Sequence, residues 1–373
     1  MRIILSGGGT GGHIYPAVTI GREIAGMATG CEFLFIGTKQ GLEADIIPRE
    51  GFPFATIEVR GLERRLLSWN NLRTLGVTAT GLWRAAQMIR RFRPQLVIGT
   101  GGYVCGPVLL AASLLGVSTL IQEQNVIPGI TNKLLSRVVD RIAVGYEEAR
   151  QYFPARVRGK IVATGNPVRP EFLAASRQEG LADLQLDPGK MTLLVVGGSR
   201  GAQSINRAMV DVHRHFAGNT QLQILHVTGK NEYNSIVEAV QARGVDIAAA
   251  GNLRIEPYLY NMPQALSAAD LAIFRSGAVG LAELTVRGVP AILIPYPHAA
   301  ENHQEHNARA VEARGAARVI RDRDLSGTVL CEAITTLVYH PEQLQAMARA
   351  SKNLGRPEAA RDIAREALAL VDR

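Results

Sequence analysis

His13 closes a glycine-rich turn, LSGGGTGGHIYP, that follows an apolar run at the start of the chain. An imidazole titrates near neutral pH, so it can take a proton from a hydroxyl group. The backbone N–H groups of Gly11 and Gly12 lie where a helix is expected to begin, and a helix N-terminus favours negative charge. The turn therefore predicts an anion site at which His13 can act as a general base, although a lone histidine is more often structural than catalytic.

The same turn matches G-x-G-x-x-G through Gly7, Gly9 and Gly12, which is the pattern of dinucleotide-binding folds. Such a site needs an acidic residue at the end of the second strand to bind the ribose hydroxyls. Here that strand, CEFLFIG, ends in Gly-Thr-Lys at residues 37–39. No Gly-Lys-Ser/Thr follows the turn, so it does not form a P-loop either. The pattern therefore disfavours NAD or FAD at this turn.

A second set of candidate residues lies in FRSGAVGLAELTVRGVP, where a strand ends at Phe274 and a helix follows. The first amides of that helix, from Ala278 to Leu281, can hold a phosphate. Glu283 follows closely, and its carboxylate can accept from both hydroxyls of a ribose. Alternatively, Glu283 only offsets the helix dipole. GGSRGA at residues 197–202 supplies further amides and the Ser199 hydroxyl.

Apolar runs of strand length alternate with helical patterns along the whole chain, which predicts parallel sheets with helices on both faces. The order of strand, glycine turn and helix restarts at residues 191–210. We therefore predict two doubly wound, Rossmann-like α/β domains. The N-terminal domain is placed at 1–165 and the C-terminal domain at 166–345, with the proline-containing ATGNPVRPEF as linker. A helical tail at 346–373 can pack back on the N-terminal domain.

With 47% hydrophobic and 20% charged residues, the composition is that of a folded soluble protein. The N-terminus has no secretory signal pattern, and the three cysteines have no C-x-x-C spacing, so we expect a cytoplasmic protein. The uncharged stretch from Pro94 to Gln122 is long enough to span a bilayer. Because glycines interrupt it repeatedly, we predict strand, turn, short helix and strand instead.

The net charge of +8 lies entirely in the first 165 residues. Residues 60–93 hold eight arginines against one acid, interleaved with leucines and two tryptophans. Such a basic stripe fits anionic lipid head groups or the phosphates of a nucleic acid. A solvated helix face is the third interpretation.

Seven motifs occur in one order along almost the whole chain: GGTGGH, GGYVCGP, EQN, GNPVR, GGSRGA, RSGA…AE and HQEHNA. Each is weak alone, but the ordered set resembles the MurG glycosyltransferases of peptidoglycan synthesis. The resemblance implies the two-domain glycosyltransferase B architecture, with the active site in the cleft between the domains. It implies transfer of N-acetylglucosamine from UDP-N-acetylglucosamine to the C4 hydroxyl of the muramoyl sugar of lipid I, undecaprenyl-pyrophosphoryl-MurNAc-pentapeptide. The products are lipid II and UDP, with inversion at the anomeric carbon.

The resemblance also assigns roles to individual residues, beginning with the donor. Donor contacts fall at Thr10, Gly11, Gly12, Asn125, Arg169, Ser199, Leu259, Ala278, Val279, Gly280, Leu281, Ala282, Glu283, Gln304 and Asn307. Within this set, Glu283 holds the uridine ribose, the backbone at Leu259 lies beside the uracil and Asn307 touches the sugar. Helix amides together with Arg169 stabilise the departing UDP without a metal ion.

On the acceptor side, the resemblance places the lipid I diphosphate against Gly101, Gly102 and Tyr103. His13 becomes the general base for the acceptor hydroxyl. An acceptor with a polyprenyl tail is reached at a membrane, which turns the basic stripe into a docking face and makes nucleic acid binding remote. The docking residues are Arg64, Arg65, Leu66, Leu67, Trp69, Leu72, Arg73, Trp83 and Arg84. The implied location is the cytoplasmic face of the plasma (inner) membrane, with the oligomeric state open.

Three positions depart from the family pattern. Gly280 stands where many members carry threonine, so backbone amides must replace a hydroxyl contact to the phosphate. His303 and Arg200 occupy positions that are glutamine in some members. The departures affect side-chain contacts and not the class of enzyme.

Two clusters suggest metal ligands. HAAENHQEHN offers His298, His303 and His306 with Glu301 and Glu305, and DRD at residues 322–324 matches the D-x-D of metal-dependent glycosyltransferases. The match to a donor site argues against zinc in the first cluster, and DRD precedes a helical pattern, so a helix start explains it better. We expect no metal and no other cofactor.

Two other functions stay open. One is another glycosyltransferase B activity, or a UDP-sugar epimerase that uses the same uridine site. The other is a catalytically silent membrane-associated scaffold that binds UDP-sugar or lipid. The ordered motifs of the N-terminal half favour the lipid I transferase over the first alternative. His13, Asn125 and Glu283 argue against the second.

Overall fold

The computed structural model describes residues 1–59, 69–198 and 201–371, and for residues 69–78 the backbone alone. The chain forms two compact units. The first unit comprises Met1–Val168 and Arg356–Arg373, and the second unit comprises Arg169–Gly355.

The secondary structure alternates between strands and helices in both units. The described strands are β1 (Arg2–Ser6), β2 (Glu32–Gly37), β3 (Phe54–Thr56), β4 (Leu96–Gly99), β5 (Ser118–Glu123), β6 (Arg141–Val144), β7 (Ile161–Ala163), β8 (Met191–Val196), β9 (Leu222–Val227), β10 (Leu253–Glu256), β11 (Leu271–Phe274), β12 (Ala291–Leu293) and β13 (Ala317–Val319). The described α-helices are α1 (Gly11–Met27), α2 (Glu43–Arg49), α3 (Trp69–Phe92), α4 (Cys105–Leu114), α5 (Ile130–Leu135), α6 (Pro170–Ala174), α7 (Arg177–Asp183), α8 (Gln203–Phe216), α9 (Tyr233–Gln241), α10 (Ile247–Ala250), α11 (Met262–Ala268), α12 (Ala278–Arg287), α13 (His303–Glu312), α14 (Gly327–Val338), α15 (Pro341–Leu354) and α16 (Ala359–Leu368).

Each unit is built on one parallel sheet. The first sheet has the order β3-β2-β1-β4-β5-β6-β7 and the second has the order β10-β9-β8-β11-β12-β13. All the described strand pairs are parallel. The prediction of two Rossmann-like α/β domains is confirmed.

The strand order reverses at β1/β4 in the first unit and at β8/β11 in the second. In open parallel sheets, ligands bind beyond the carboxyl ends of the strands at such a reversal. The register brings Ser6 of β1 opposite Gly99 of β4, and Val196 of β8 opposite Phe274 of β11. The loops after these four strands are therefore the ones positioned to bind ligands.

Burial on both faces explains the apolar strands. In β1, Ile3 and Leu5 pack on one face with residues of α1 and α16, whereas Ile4 packs on the other face with residues of α3 and α4. Successive side chains of a strand point to opposite faces, so a strand covered on both sides is apolar throughout. This accounts for the apolar run Ile3–Leu5 in β1.

The C-terminal segment is divided between the units. Helix α15 lies in the second unit, where Ser351 Oγ donates to the Val289 carbonyl at 2.9 Å. Helix α16 lies in the first unit and buries Ile363 and Ala367 against the α1 side of the sheet. The chain thus returns to the first unit at Arg356, ten residues after the expected start of the tail.

The uncharged stretch from Pro94 to Gln122 forms β4, α4 and most of β5, as predicted. Its side chains are largely buried, although Leu114 at the end of α4 is 72% exposed. Within the part of the chain that the structure describes, no helix combines the length and apolar character needed to cross a bilayer.

Candidate functional site

His13 lies in the first turn of α1, directly after the glycine-rich turn. Gly9 has φ +85°, and Thr10 is extended as the N-cap. The His13 Nδ1 lies 3.0 Å from the Gly8 carbonyl oxygen and 3.4 Å from Thr10 Oγ1. Because a carbonyl oxygen only accepts, Nδ1 carries the proton in its bond to Gly8, and Nε2 of the neutral ring holds the lone pair. This tautomer suits a base that acts through Nε2.

The loop after β4 packs against the His13 ring. Gly101 has φ +112°, and a Cβ there would lie 2.8 Å from His13 Cδ2 and 3.0 Å from Nε2. Gly102 has φ +83°, and a Cβ there would collide with the Gly8 carbonyl oxygen. The side chain of the neighbouring Tyr103 is 39% exposed. The structure therefore brings the predicted base and the predicted diphosphate loop together within the first unit.

Two residues that the sequence reasoning missed hold these loops. Thr100 Oγ1 donates to the His13 carbonyl at 2.6 Å. The Sγ of Cys105, fully buried, lies 3.0 Å from the Ser6 carbonyl and 2.9 Å from that of Gly101. Burial raises the pKa of the Cys105 thiol to about 11, so the thiol is uncharged at neutral pH. Both residues are structural supports of the β1 and β4 loops.

A third missed residue is Glu43, the first residue of α2, which is fully buried. Its Oε1 accepts from the Thr38 N–H at 3.0 Å and the Thr38 hydroxyl at 2.6 Å, and its Oε2 accepts from the Gly9 N–H at 3.0 Å. Glu43 comes shortly after the end of β2, where dinucleotide-binding folds carry the acid that holds a ribose. Here the carboxylate is bound to the protein's own loops instead.

Asn125 follows β5 and is positioned by a buried carboxylate. Glu123 Oε1 accepts from the Asn125 N–H at 2.9 Å and from its Nδ2 at 3.1 Å. Glu123 Oε2 accepts from the Gly129 N–H at 3.0 Å and from Asn132 Nδ2 at 2.8 Å. The EQN motif is therefore a loop tied down by its own glutamate, with the half-buried Asn125 at its end.

The glutamine of EQN joins a buried network of side-chain amides. Gln124 Nε2 donates to the Thr100 carbonyl at 2.6 Å and also to Gln122 Oε1. Gln122 Nε2 donates to Asn166 Oδ1 at 2.9 Å, and Asn166 Nδ2 donates to the Gln124 carbonyl at 2.9 Å. Asn166 belongs to the GNPVR motif, so this network explains why the first unit extends to Val168, three residues beyond the expected boundary.

In the second unit, Arg169 and Glu283 meet directly. Arg169 Nη2 donates to Glu283 Oε1 at 3.1 Å, and the guanidinium also lies 4.7 Å from the centre of the Phe172 ring. Burial raises the pKa of the Glu283 carboxyl, while the charge and hydrogen bond of Arg169 oppose that rise. Arg169 therefore favours the ionised form of Glu283, a residue that is only 9% exposed.

Helix α12 begins at Ala278 and ends before Gly288, as the sequence predicts. Gly277 is the N-cap, and a Cβ added at Gly277 or Gly280 would have no atom within 4 Å. Ala278, Leu281 and Glu283 are buried, whereas Val279, Gly280 and Ala282 are half-buried. The first turn of α12 thus leaves open space beside its N–H groups, which suits a phosphate.

Gln304 and Asn307 of α13 lie against the turn that precedes α12. Ser276 Oγ donates to the Gln304 carbonyl at 2.8 Å, and Gln304 Oε1 accepts from the Tyr296 N–H at 2.9 Å. Asn307 is fully buried, with its Nδ2 3.4 Å from the Ser276 carbonyl. These contacts place both predicted donor residues beside the start of α12.

The glycine loop after β8 is described in part, since Ser199 and Arg200 lie outside the described residues. Gly201 has φ +80°, and a Cβ there would collide with the Thr228 carbonyl at the end of β9. Leu259, in the loop after β10, is 8% exposed. Both loops follow the carboxyl ends of strands in the second sheet, and α12 begins on this same side of the sheet.

The metal-like clusters have other roles. Asp322 of DRD accepts from Ser204 Oγ at 2.6 Å and forms an ion pair with Arg275 at 2.5 Å. His303 Nδ1 lies 2.6 Å from the Ala300 carbonyl. Among the described residues, no group of three or more His, Cys, Asp or Glu side chains is arranged to hold a metal ion.

The predicted docking face lies mostly outside what the structure describes. Arg64, Arg65, Leu66 and Leu67 fall outside the described residues, and of Trp69, Leu72 and Arg73 only the backbone, in α3, is described. Further along α3, Trp83 is 63% exposed, and Arg84 forms an ion pair with Glu58 at 3.2 Å.

Exposed apolar side chains that the sequence reasoning did not single out lie near α4 and α5. Ile130 and Leu134 of α5 are 60% and 55% exposed, and Val138 just beyond it is also exposed. Ser113 Oγ, next to the exposed Leu114, donates to the Val138 carbonyl at 2.9 Å. We call Leu114, Ile130, Leu134 and Val138 the apolar patch.

Comparisons with known proteins agree with this architecture. Residues 3–144 match the glycosyltransferase family 28 N-terminal domain, and residues 192–363 match its C-terminal domain. A UDP-N-acetylglucosamine--N-acetylmuramyl-(pentapeptide) pyrophosphoryl-undecaprenol N-acetylglucosamine transferase from Moorella thermoacetica is 49% identical over 372 residues, covering 100% of both chains. The protein of the same name from Desulforamulus reducens is 49% identical over 363 residues, covering 97% of each chain.

Two solved structures also resemble the chain. MurG from Acinetobacter baumannii superposes with a TM-score of 0.77 at 26% identity, covering 99% of each chain. A UDP-GlcNAc 2-epimerase from Neisseria meningitidis superposes with a TM-score of 0.70 at 14% identity, covering 99% of this chain and 100% of the other. The second likeness concerns the fold alone.

Proposed function

The chain belongs to glycosyltransferase family 28 and, within it, to the MurG transferases, and on this premise we propose how its residues carry out the reaction. It is a glycosyltransferase that uses UDP-N-acetylglucosamine. The sugar is transferred to the C4 hydroxyl of the muramoyl sugar of lipid I, which gives lipid II and UDP with inversion.

The donor binds to the second unit. The open first turn of α12 receives the diphosphate through the N–H groups near Gly280. Glu283, whose ionised form is favoured by the charge and hydrogen bond of Arg169, accepts from the ribose hydroxyls. The remaining donor contacts come from Ser199 in the glycine loop after β8, from the backbone at Leu259, and from Gln304 and Asn307.

The acceptor binds to the first unit. Gly101, Gly102 and Tyr103 receive its diphosphate, and the half-buried His13 faces the same loop. The observation that carries this proposal is the bond between His13 Nδ1 and the Gly8 carbonyl, because it leaves Nε2 as the basic atom. Thr10 and Asn125, in loops of the first unit, and Gly11 and Gly12, at the start of α1, contact the sugar and diphosphate of the donor.

Transfer is a single displacement. Nε2 of His13 takes the proton of the C4 hydroxyl as its oxygen forms a bond to the anomeric carbon. The bond from that carbon to the UDP oxygen breaks on the opposite face, and its electron pair leaves with UDP. The amides of α12 stabilise the charge that develops on the diphosphate, so the reaction requires no metal. A mechanism without a metal ion is supported by Asp322 and Glu305, two acids of the clusters considered as metal ligands, because both already form ion pairs with arginines.

The protein docks on the cytoplasmic face of the membrane through the first unit. Support comes from the apolar patch, from Trp83, and from the exposed Arg137 between Leu134 and Val138. Apolar side chains among basic residues insert between anionic head groups while the cations pair with phosphate. The proposal also includes Arg64, Arg65 and Arg73 of the predicted docking face, whose side chains lie outside what the structure describes.

The test is an assay of UDP release with UDP-N-acetylglucosamine and a short-chain lipid I analogue. We expect release that depends on the acceptor and survives EDTA, and a loss of ~100-fold or more in His13→Ala. His215→Ala, a change of an exposed histidine on α8, is the matched control and should keep full activity. Turnover without acceptor would instead favour an epimerase or hydrolase, and wild-type rates from His13→Ala would remove the base assignment.

A further inference from the structure

The peptide group between Gly8 and Gly9 has an imidazole on one edge and a carboxylate on the other. Its carbonyl oxygen lies 3.0 Å from His13 Nδ1, and its N–H donates to Glu43 Oε2 at 3.0 Å. Among the described residues no peptide bond is cis, so this C=O and this N–H point in opposite directions from one planar unit. Glu43, the peptide group and His13 therefore form one continuous hydrogen-bonded chain.

The surroundings are built to place the Glu43 carboxylate beside this peptide group. A Cβ at Gly8 would lie 2.6 Å from Glu43 Oε1, and a Cβ at Gly37 would lie 2.6 Å from Glu43 Cγ. A Cβ at Gly41 would collide with both carboxylate oxygens. These three glycines leave room for the fully buried side chain of Glu43. Thr38 fixes the carboxylate oxygen Oε1 of Glu43 with two hydrogen bonds.

A buried carboxylate polarises the peptide group to which it is bonded. Accepting from the Gly9 N–H draws electron density of the amide towards the Gly8 oxygen, and hydrogen bonds in such a chain strengthen one another. The effect is larger inside the protein than in water, because the effective dielectric constant is lower there. The Gly8 oxygen consequently becomes a stronger acceptor for the Nδ1–H of His13.

We propose that Glu43 is a positioning residue that acts on His13 through the Gly8–Gly9 peptide group. It holds the imidazole in the tautomer with Nδ1–H and a basic Nε2, and it stabilises the imidazolium that forms when Nε2 takes a proton. The second effect rests on the proposed function, in which His13 is the general base. The first concerns the ligand-free protein and does not depend on it.

No proton moves along this chain during transfer. The hydroxyl O–H bond of the acceptor breaks and an Nε2–H bond forms, while Nδ1 keeps its proton and no proton passes to Glu43. His13 then returns the Nε2 proton to water after UDP leaves. Glu43 supplies a fixed negative charge two hydrogen bonds away, as the buried carboxylate of a catalytic triad does across one.

The test is 15N NMR of the ligand-free full chain labelled at histidine, recorded near pH 8.5, with the His13 signals assigned by their loss in His13→Gln. In the wild type we expect a protonated-type shift at Nδ1 and an unprotonated-type shift at Nε2. In Glu43→Gln the negative charge is lost, and an N–H of the glutamine amide faces the Gly9 N–H in place of an acceptor. The Gly8 carbonyl is then less polarised, so we expect a mixture of the two neutral tautomers of His13. A wild-type His13 spectrum in folded Glu43→Gln would overturn the proposal.

Kinetics with the lipid I analogue supply the second measurement. Glu43→Gln should lower kcat by ~10-fold or more and leave the donor KM within ~2-fold, because the donor residues of the second unit are untouched. A higher KM with unchanged kcat would contradict the proposed action on the base. If no variant or wild-type protein shows transfer, the proposed function fails, while the tautomer result still decides the link between Glu43 and His13.

Two further variants separate this link from general loop support. Glu123→Gln removes another buried, loop-tying carboxylate of the first unit and should leave the His13 spectrum as in the wild type. Glu43→Asp keeps the charge but shortens the side chain, so a spectrum between those of the wild type and Glu43→Gln is expected. If Glu43→Gln does not fold, Glu43→Asp takes its place, and an unchanged His13 spectrum in that variant overturns the proposal.

Discussion

Arg169 and Glu283 are 114 positions apart in the chain, yet Nη2 of the arginine lies 3.1 Å from Oε1 of the glutamate. The arginine side chain is 34% exposed and that of the glutamate 12%. Arg169 thus serves as the counter-charge of a nearly buried carboxylate. We propose that this carboxylate binds the ribose and that the amides of α12 are the main stabilisers of the departing UDP.

Arg169→Met should weaken UDP binding by about tenfold, which corresponds to about 1.4 kcal/mol. Without the guanidinium, the pKa of Glu283, already raised by burial, rises further, and the protonated carboxyl loses an acceptor for the ribose hydroxyls. The loss should therefore be greater at pH 6 than at pH 8 in calorimetric titration with UDP. Arg177→Met removes a comparable ion pair, with Asp270, and should bind UDP like the wild type. Equal weakening at both pH values would contradict this account of the pair.

Gly280→Thr should be tolerated, because a Cβ at this position meets no atom within 4 Å. Gly280 is the third residue of α12, and threonine has a higher helix propensity than glycine, so the free energy of unfolding should rise by a few tenths of a kcal/mol. The added hydroxyl should also tighten UDP-N-acetylglucosamine binding by ~2- to 5-fold through a phosphate contact. Gly280→Ala gains propensity without the hydroxyl and is the control. Equal affinities in the two variants would exclude the hydroxyl contact.

Stability should fall in mildly acidic solution because of two buried histidines in the second unit. His213 Nε2 lies 3.1 Å from His226 Nδ1, and His226 Nε2 lies 3.1 Å from Asn206 Oδ1. Burial lowers the pKa of His213 to about 4, and it lowers that of His226 well below 6.5. Between pH 6.5 and 4 the unfolded chain binds protons that the folded chain does not, so stability is full above this range and falls within it.

The His213 contribution is about 3 kcal/mol across that range, since each pKa unit is worth about 1.4 kcal/mol. Urea unfolding at pH 7.5, 5.5 and 4.5 measures it. His213→Gln should make the profile shallower, whereas His215→Gln, on the exposed side of the same helix, should reproduce the wild-type profile. A profile equally steep in His213→Gln and the wild type would contradict the assignment.

Leu134→Asp should lower the affinity for vesicles that contain phosphatidylglycerol by roughly tenfold or more, because burying one leucine side chain is worth about 1.5–3 kcal/mol. Leu173→Asp, at an exposed leucine of the second unit, should bind vesicles normally. Arg137→Glu should weaken binding mainly at low salt, where head-group attraction is least screened. Co-sedimentation measures all three, and unchanged binding by Leu134→Asp would exclude the apolar patch as the docking surface.

Much of the architecture was predictable from local patterns. Alternating strands and helices predicted both parallel sheets, and Gly277 and Gly288 predicted the ends of α12. Such features depend on residues close in the chain, where period, capping and turn preferences act. The placing of His13 and Glu283 after strand ends followed from the same rules, since a parallel sheet brings its carboxyl ends to one edge.

Which side chains meet across loops depended on the fold. Glu43 resembles an ordinary first-turn acid of a short helix, and only the approach of the β1 loop joins it to Gly9 and, through that peptide group, to His13. Likewise, Asn166 meets Gln122 and Gln124 because the carboxyl ends of β5 and β7 lie on the same side of the parallel sheet. The local sequence pattern thus specifies the strands, the helices and the chemical groups that are available for a site. The pairing of buried charges and amides is decided by packing, because each must find its partner once water is excluded.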